Sequence, residues 1–225
     1  MARVRSRLFG LVLGLATVCL AIGEAQAQGP LTDSGIANDA KRYEAYLRAN
    51  WPPAAGDARA ERDAANKLIA AGDARAAARS LAQAVVRDAS DAQAWSGLAR
   101  ALLAIAPEQG SERYELPVNA SGAAWIAYER APTPATKAAA LVVLHEALKR
   151  RSYWRPAIEA LKLSLSLVAD AAVRDTLDKL IAEHGFRILD YKVDADALQP
   201  RLCIQFSERL APGTADWAEF FKVDG

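Results

Sequence analysis

The chain carries two histidines, His145 and His184, the side chains best suited to acid–base chemistry or metal binding near neutral pH. A histidine metal site on one helix needs a second ligand a turn away, and His145 has no second histidine four residues on. The two imidazoles fall on different predicted helices, and neither has the Cys/His spacing of a zinc site. We interpret His145 as a helix-surface or packing residue and His184 as part of a helix end before Gly185, where partial positive charge is favourable.

Other patterns of catalytic residues are absent from the sequence. It contains neither a glycine-rich phosphate loop nor a Gly-x-Ser-x-Gly elbow. The carboxylates of the last predicted helix are interspersed with basic residues, as on a solvated helix face: Asp170, Asp175, Asp178 and Glu183 beside Arg174 and Lys179. We therefore predict no catalytic residue, no cofactor and no enzyme activity.

A short acidic segment deserves a test as a calcium site. Oxygen-bearing side chains cluster there: Asp190, Tyr191, Asp194 and Asp196. The glycine and the final glutamate of an EF-hand loop are missing, so a strand edge followed by a polar turn is the preferred interpretation. No metal site is predicted.

The first 27 residues have the three parts of a secretory signal. Arg3, Arg5 and Arg7 precede an apolar stretch of 15 residues, Leu8 to Ile22, and the small-x-small sequence Ala25-Gln26-Ala27 follows. We predict cleavage between Ala27 and Gln28, because crossing a bilayer takes roughly 20 residues. Membrane anchoring through this stretch is the alternative, and lipidation of Cys19 is another, although Val18 stands where a small residue is usual.

The remainder of the chain is globular in composition and close to neutral. With the predicted signal removed, it has 25 basic and 26 acidic residues, a formal charge of −1, which does not favour nucleic acid. Cys203 is then the sole thiol, so no intrachain disulfide forms even in an oxidising compartment. Its strand context predicts a buried, inert sulfur, with pairing to a downstream cysteine as the alternative.

Residues 28–185 are predicted to form an α-helical domain of stacked hairpins. From Asp39 to Glu183 the chain is rich in Ala, Leu, Arg, Lys and Glu, and proline or glycine interrupts it at intervals typical of helical hairpins. Glu108 to Ala120 is predicted to be a surface loop, a connector or a partner contact, before a helix from Ser121 to Arg130.

An internal repeat supports a tetratricopeptide-like stack over a generic alanine-rich bundle. Small and apolar residues fall at the positions of a 34-residue repeat: Leu68, Ala77, Leu81, Ala84, and then Trp95 and Leu98. Gly72-Asp73 is predicted to make the tight turn. Eighty residues after Glu61, Ala64, Leu68, Ala77 and Leu81 the pattern recurs at Leu141, Leu144, Leu148, Ala157 and Leu161. We expect a right-handed stack with Trp95, Trp125 and Trp154 at hairpin contacts.

The period changes to two near the C-terminus. Phe186 to Asp194 and Arg201 to Phe206 alternate roughly between apolar and polar residues, which predicts strands with one face in a core. Trp217 to Val223 is a third apolar segment. Because an independent sandwich needs about seven strands, we expect residues 186–225 to be the truncated start of a β domain that continues downstream.

These strand segments carry a resemblance. The runs Ile188 to Asp194, Pro200 to Glu208 and Phe220 to Gly225, with "Cys-x-x-Phe-Ser" and "Val-Asp-Gly", resemble the start of the first macroglobulin-like domain in bacterial α2-macroglobulin family proteins. The resemblance implies an exported endopeptidase inhibitor that traps proteases after cleavage of a bait segment, in the periplasm or outside the cell. Some members use a Cys-x-Glu-Gln thioester, but Ile204-Gln205 follows Cys203 here, so no thioester role is assigned.

The resemblance implies two kinds of protein partner. Proteases would meet downstream domains, and the helical stack would dock or space the molecule. The alternative is an exported tetratricopeptide-type scaffold for envelope proteins, with no inhibitory role. A secreted hydrolase is a third reading that nothing beyond export supports.

Overall fold

The computed structural model describes residues 34–51, 56–194, 201–207 and residue 210. Within these ranges it contains eight helices and two strands. They are α1 (Ser34–Asn50), α2 (Ala58–Ala70), α3 (Ala74–Arg87), α4 (Ala92–Ala104), α5 (Glu112–Arg130), α6 (Pro134–Arg150), α7 (Trp154–Leu167), α8 (Ala171–His184), β1 (Ile188–Asp194) and β2 (Arg201–Phe206). The predicted cleavage site Ala27–Gln28, Cys19, Asp196 and the segment 217–223 lie outside the described residues.

The helices form consecutive antiparallel hairpins that stack on one another. The hairpins are α2–α3, α4–α5 and α6–α7, and α8 packs on α7. Neighbouring hairpins meet through α3–α4 and α5–α6, while α2, α4 and α6 adjoin along one side. The mainly α stack of helical hairpins, followed by a small antiparallel β segment, confirms the predicted fold class. No helix among the described residues is both long and apolar enough to cross a bilayer.

Five of the described helices begin with a side-chain cap. Asp57, Asp73, Asp91 and Asp170 each precede a helix and accept hydrogen bonds from its first backbone N–H groups. Helix α6 begins with a reciprocal cap, because Thr133 and Thr136 each bond the other's backbone N–H, with Pro134 at the first helical position. These caps fix where each hairpin reverses.

Two turns show the eighty-residue repeat most clearly. Gly72, after α2, has φ +81° and Ser152, after α6, has φ +58°. In the first turn the N–H of Asp73 bonds Leu68 O at 2.9 Å, and in the second the N–H of Tyr153 bonds Leu148 O at the same distance. In both hairpins the left-handed residue reverses the chain, so that the N–H groups of this turn can bond the free carbonyls at the helix end. The predicted tight turn at Gly72 is confirmed.

The core lies between the hairpins and is built from alanine and leucine. Ala77, Leu81, Leu141, Leu148 and Leu161 are fully buried, as the repeat pattern predicts. Small alanine side chains allow neighbouring helices to approach closely, while leucines fill the remaining space. Trp95 is also buried, with Nε1 donating to Ala89 O at 2.9 Å.

Trp125 and Trp154, which were expected at hairpin contacts, are partly buried against the core. Trp125 lies against Tyr128 of the same helix, with ring centroids 5.8 Å apart. Trp154, at the start of α7, stacks on His184 of α8. The three tryptophans therefore contribute apolar area as predicted, although Trp95 is the most deeply buried.

Helix α1 stands outside the order of the hairpins and packs mainly on α5, with a smaller contact to α3. Gly122 makes this approach possible, because a Cβ atom there would lie 3.1 Å from Ala40 Cα. Ile36, Tyr43 and Leu47 bury the apolar face of α1. Helix α1 therefore covers the α3–α5 side of the stack.

Helix α5 begins earlier than predicted. The expected loop from Glu108 to Ala120 is wrong, because the helix runs from Glu112 and includes Pro117. As the sixth residue of the helix, Pro117 removes the hydrogen bond that its own N–H would donate, and its ring crowds the carbonyl four residues earlier. Arg75 of α3 also holds the helix start, since its Nη1 and Nη2 lie 2.9 and 2.8 Å from the Glu112 carboxylate. That hydrogen bond, with others from the backbone N–H groups of Glu108 and Gln109, lowers the pKa of Glu112 to about 2.

The two strands pair antiparallel, with Tyr191 opposite Ile204 and Lys192 opposite Cys203. The strands are as predicted, but the expectation that one face is buried is wrong. Apolar side chains on both strands remain exposed, and so does Cys203. A two-stranded ribbon has no second layer to cover it, and the aromatic packing on it comes from Phe186, whose ring stacks on Phe206 with centroids 5.2 Å apart. The sulfur predicted to be buried is therefore accessible.

Candidate docking groove

The structure does not bring the two histidines together. His145 lies on α6 and is buried, with Nδ1 3.2 Å from Val142 O and Nε2 without a hydrogen-bond partner. Burial lowers the pKa of His145, because the charged form loses its hydration. His184 ends α8, and its ring stacks on Trp154 with centroids 3.6 Å apart. Of the two roles considered for His145, the structure supports packing.

The acidic residues are also dispersed. Asp175 pairs with Lys179 on the exposed face of α8, while Asp170 caps that helix, so the predicted solvated face is confirmed. Asp190 and Asp194 lie on β1. In the ranges that the structure covers, no three His, Cys, Asp or Glu side chains converge as metal ligands would.

The α2, α4 and α6 helices leave an open groove of about 840 Å³, which we call the α2–α4–α6 groove. Its walls come from α2, α4 and α6, the turns before these helices and the end of α5. Polar and basic side chains dominate the walls: Arg59, Arg62, Gln93, Ser96, Arg100 and Arg130. The alanines of α6 have small side chains that leave the groove open, so it is an accessible surface rather than a closed pocket.

The acidic residues in this groove are committed to structural contacts. Asp57 accepts the N–H of Arg59 at 3.0 Å, and Asp91 accepts two N–H groups of α4 and pairs with Arg62. Asp88 accepts the N–H and hydroxyl of Ser90, which lowers the pKa of Asp88. Each carboxylate thus stabilises a helix start or a turn.

Two of the arginines also have protein partners. Arg62 is held by Asp91, as described, and both side chains are mostly buried. Arg130 Nη2 lies 3.0 Å from both oxygens of Glu44 on α1, and its Nη1 donates to Ala89 O at 2.7 Å. The guanidinium also lies 5.6 Å from the centre of the Trp95 ring. Arg130 therefore supports the groove wall by joining α1 to the α3–α4 turn.

Arg59 and Arg100 differ from these two. Both are exposed, and neither guanidinium has a hydrogen bond or ion pair within the described part of the chain. Arg100 lies on α4 where the groove meets a shallow depression of about 430 Å³. Leu103, Val142 and Val143 supply apolar walls there, with His145, Glu146 and Arg150 beside them.

Sequence reasoning missed this surface. Arg59 and Arg62 are three residues apart and so share a face of α2, and Arg100 lies on the helix that occupies the same place in the next hairpin. The 34-residue repeat aligns Arg100 with Asn66, not with Arg59 or Arg62, so the repeat alignment gave no signal for this surface. No protein-family model matches the chain, and comparison with curated proteins finds no significant relative. The groove and the exposed hairpin are therefore the features that bear on function.

Proposed function

We propose that the chain is the N-terminal region of an exported bacterial protein similar to the α2-macroglobulin endopeptidase inhibitors, with the helical stack as a docking or spacing module. The observation that carries this proposal is the exposure of the β1–β2 hairpin. Ile188, Leu189, Tyr191 and Val193 are each more than half exposed. Apolar side chains on both faces of a ribbon are stable in a protein once further strands cover them.

The hairpin sequence supports the proposed kind of domain. Its strands carry the runs that resemble the opening of a macroglobulin-like domain, and they pair antiparallel as strands of such a sandwich do. The preceding stack ends at His184, two residues before Phe186, so a helical module leads directly into the hairpin. A module of this kind suits spacing and docking more than catalysis.

The protein as its host makes it provides the test. We expect it to be longer than 225 residues and to suppress cleavage of casein by trypsin, while a small chromogenic peptide is still cleaved, because an enclosed protease keeps access to small substrates. Equal cleavage of casein with and without the protein would contradict inhibition by trapping. A native polypeptide that stops at Gly225 would contradict the macroglobulin-like assignment.

The α2–α4–α6 groove favours a second candidate, an exported scaffold that binds envelope proteins without inhibiting proteases. Stacked helical hairpins form concave surfaces suited to protein ligands, and this one is open along three helices. Photo-crosslinking from Gln93 or Ala139 in the native host would identify the partner. A partner on a protease-independent pathway, together with unaffected casein cleavage, would select the scaffold.

A further inference from the structure

We propose that a cleft between α1 and the helices α3 and α4 binds a small, neutral aromatic molecule that carries one hydrogen-bonding group, of the phenol or indole class. The cleft has a volume of about 280 Å³ and shares no described lining residue with the α2–α4–α6 groove. The site is therefore separate from the docking surface and from the β1–β2 hairpin.

The cleft exists because α1 packs mainly on α5 and makes a smaller contact with α3. On the α3 side of this gap the lining includes the small side chains of Ala78 and Ala82. Leu98 and Leu102 line it from α4. Two alanines opposite the aromatic residues of α1 leave a space with apolar walls, which favours an apolar ligand body.

Aromatic side chains line the cleft from α1. The rings of Tyr43 and Tyr46 are nearly parallel, with centroids 6.4 Å apart. The N–H of Trp51 donates to Leu47 O at 2.9 Å, which holds the third aromatic residue at the end of α1. Because aromatic rings associate favourably in stacked and edge-to-face arrangements, these walls favour an aromatic ligand over an aliphatic one.

Two polar side chains in the cleft lack partners. Tyr43 is 7% exposed, and its hydroxyl has no hydrogen bond to any described residue. The hydroxyl is not among the fully enclosed unpartnered atoms, so the uncovered part of Tyr43 includes it. The half-buried amide of Asn119 also has no hydrogen-bond partner in the described chain. Since buried polar groups are nearly always hydrogen-bonded, a ligand with a donor or acceptor would complete this site.

The charges beside the cleft favour a neutral ligand. Arg75 and Arg79 line it, but Arg75 pairs with both Glu108 and Glu112, so two positive and two negative charges balance. Burial, with a smaller influence of Tyr46, raises the pKa of Tyr43, so its hydroxyl stays protonated and can donate. Neither an anion nor a cation finds an uncompensated partner here.

The volume of the cleft limits the size of the ligand. An apolar cavity of about 150 Å³ is enough for benzene. The cleft, at about 280 Å³, therefore holds one substituted ring or two fused rings. This size selects a free small molecule as the occupant.

Titration of the purified protein with phenol, indole and benzoate, followed by NMR chemical shifts, tests the proposal. We expect phenol and indole to bind with dissociation constants below about 1 mM and to shift the resonances of Tyr43, Leu98 and Leu102. Benzoate should bind at least about tenfold less tightly, because its charge has no partner in the cleft. Absence of these shifts at 10 mM phenol and indole, the probe concentration used, would overturn the proposal, and so would equal affinity for benzoate.

Tyr43→Phe tests the hydroxyl without removing the ring. The affinity for phenol should fall about fivefold, while the affinity for toluene, which has no hydrogen-bonding group, should not change. Tyr114→Phe, at an exposed tyrosine that does not line the cleft, should alter neither affinity. Equal losses for phenol and toluene in Tyr43→Phe, or unchanged binding of phenol, would contradict the assigned role of the hydroxyl. Thermal unfolding confirms that both variants are folded.

Hydrogen exchange locates the ligand independently. A molecule between α1 and α3 binds the state in which α1 is docked, so phenol at ten times its dissociation constant should slow exchange of α1 amides about tenfold. Amides of α8, which does not line the cleft, should exchange at unchanged rates when they exchange by local opening. Unchanged exchange in α1 at that concentration would place the ligand elsewhere and overturn the proposed site.

Discussion

Arg151 Nη2 lies 2.8 Å from the carboxylate of Asp39, although the two residues are 112 positions apart in the chain. Arg151 also donates to Ser121 Oγ at 2.6 Å, and its guanidinium lies 4.3 Å from the centre of the Tyr153 ring. Both charged side chains are at least nine-tenths buried. This contact joins α1, α5 and the end of α6 at one point.

Removing one charge of this pair is expected to destabilise the protein strongly. Arg151→Met leaves the buried carboxylate of Asp39 with the exposed side chain of Arg42 as its charged partner, so we expect the free energy of unfolding to fall by about 3 kcal/mol. Arg42→Met should cost less than about 1 kcal/mol, because Arg42 is mostly exposed. Urea denaturation of the two variants measures the difference, and similar losses would contradict a buried, structurally important pair.

The Ser152 turn offers a stabilising substitution. A residue with a side chain pays about 1 kcal/mol or more of backbone strain in the left-handed region, which glycine avoids. Part of this gain in stability is lost on substitution by glycine, because a glycine-containing unfolded chain has more conformational freedom to lose on folding. Ser152→Gly should therefore raise the free energy of unfolding by less than about 1 kcal/mol. Gly72→Ser is the mirror control, expected to lower stability by a similar amount, since nothing lies within 4 Å of a Cβ there and backbone strain is the sole cost. Thermal unfolding of both variants checks the sign; loss of stability in Ser152→Gly would refute it.

Burial of His145 predicts a specific dependence of stability on pH. Its folded pKa is below the ordinary value of 6.5, so below that pH the unfolded chain binds a proton that the folded chain does not. Stability should fall as pH drops from 6.5 and level off below the folded pKa. Burial is the main cause of the lowered pKa; the hydrogen bond with Val142 O and the charge of Glu146 oppose it, while the charge of Lys149 adds to it.

Substitution separates His145 from the other histidine. His145→Leu should flatten the decline between about pH 7 and 5, while His184→Gln should retain it. Chemical denaturation across that range gives the two slopes. A decline that survives His145→Leu unchanged would assign the effect to another group.

The β1–β2 hairpin should be the first part of the described chain to be cut by trypsin. Lys192 and Arg201 lie on exposed strands with unpaired edges and no covering layer, so local opening there costs little. Lys162, which is also exposed, lies on α7 within a packed helical hairpin and should be cut later. Mass spectrometry of timed digests measures the order, and early cleavage at Lys162 would contradict it.

Local features of the sequence predicted most of the fold. The spacing of Leu68, Ala77 and Leu81, and its recurrence at Leu148, Ala157 and Leu161, identified the hairpins, because helix packing repeats with the same period as the side chains that produce it. Gly72 marked its turn, since glycine tolerates positive φ. Ser152 occupies the equivalent turn without glycine, so composition alone did not reveal it.

Other features depend on contacts between distant residues. The start of α5 was missed because Arg75 stabilises it from another hairpin, outweighing Pro117 as a signal for a loop. Burial of Cys203 was expected from alternation alone, which records which side chains share a face but not whether anything covers it. The groove was missed because a free arginine is recognised only once the partners of all its neighbours are known.

The position of α1 has a consequence for the order of folding. This helix leaves the ribosome before α2, yet its apolar face meets α5, which is not complete until Arg130. At 5–20 residues per second, synthesis of the intervening segment takes roughly ten seconds. During that interval Ile36, Tyr43 and Leu47 lack the α5 surface that covers most of the α1 face, so the nascent chain presents a ready substrate for chaperones until the later hairpin arrives.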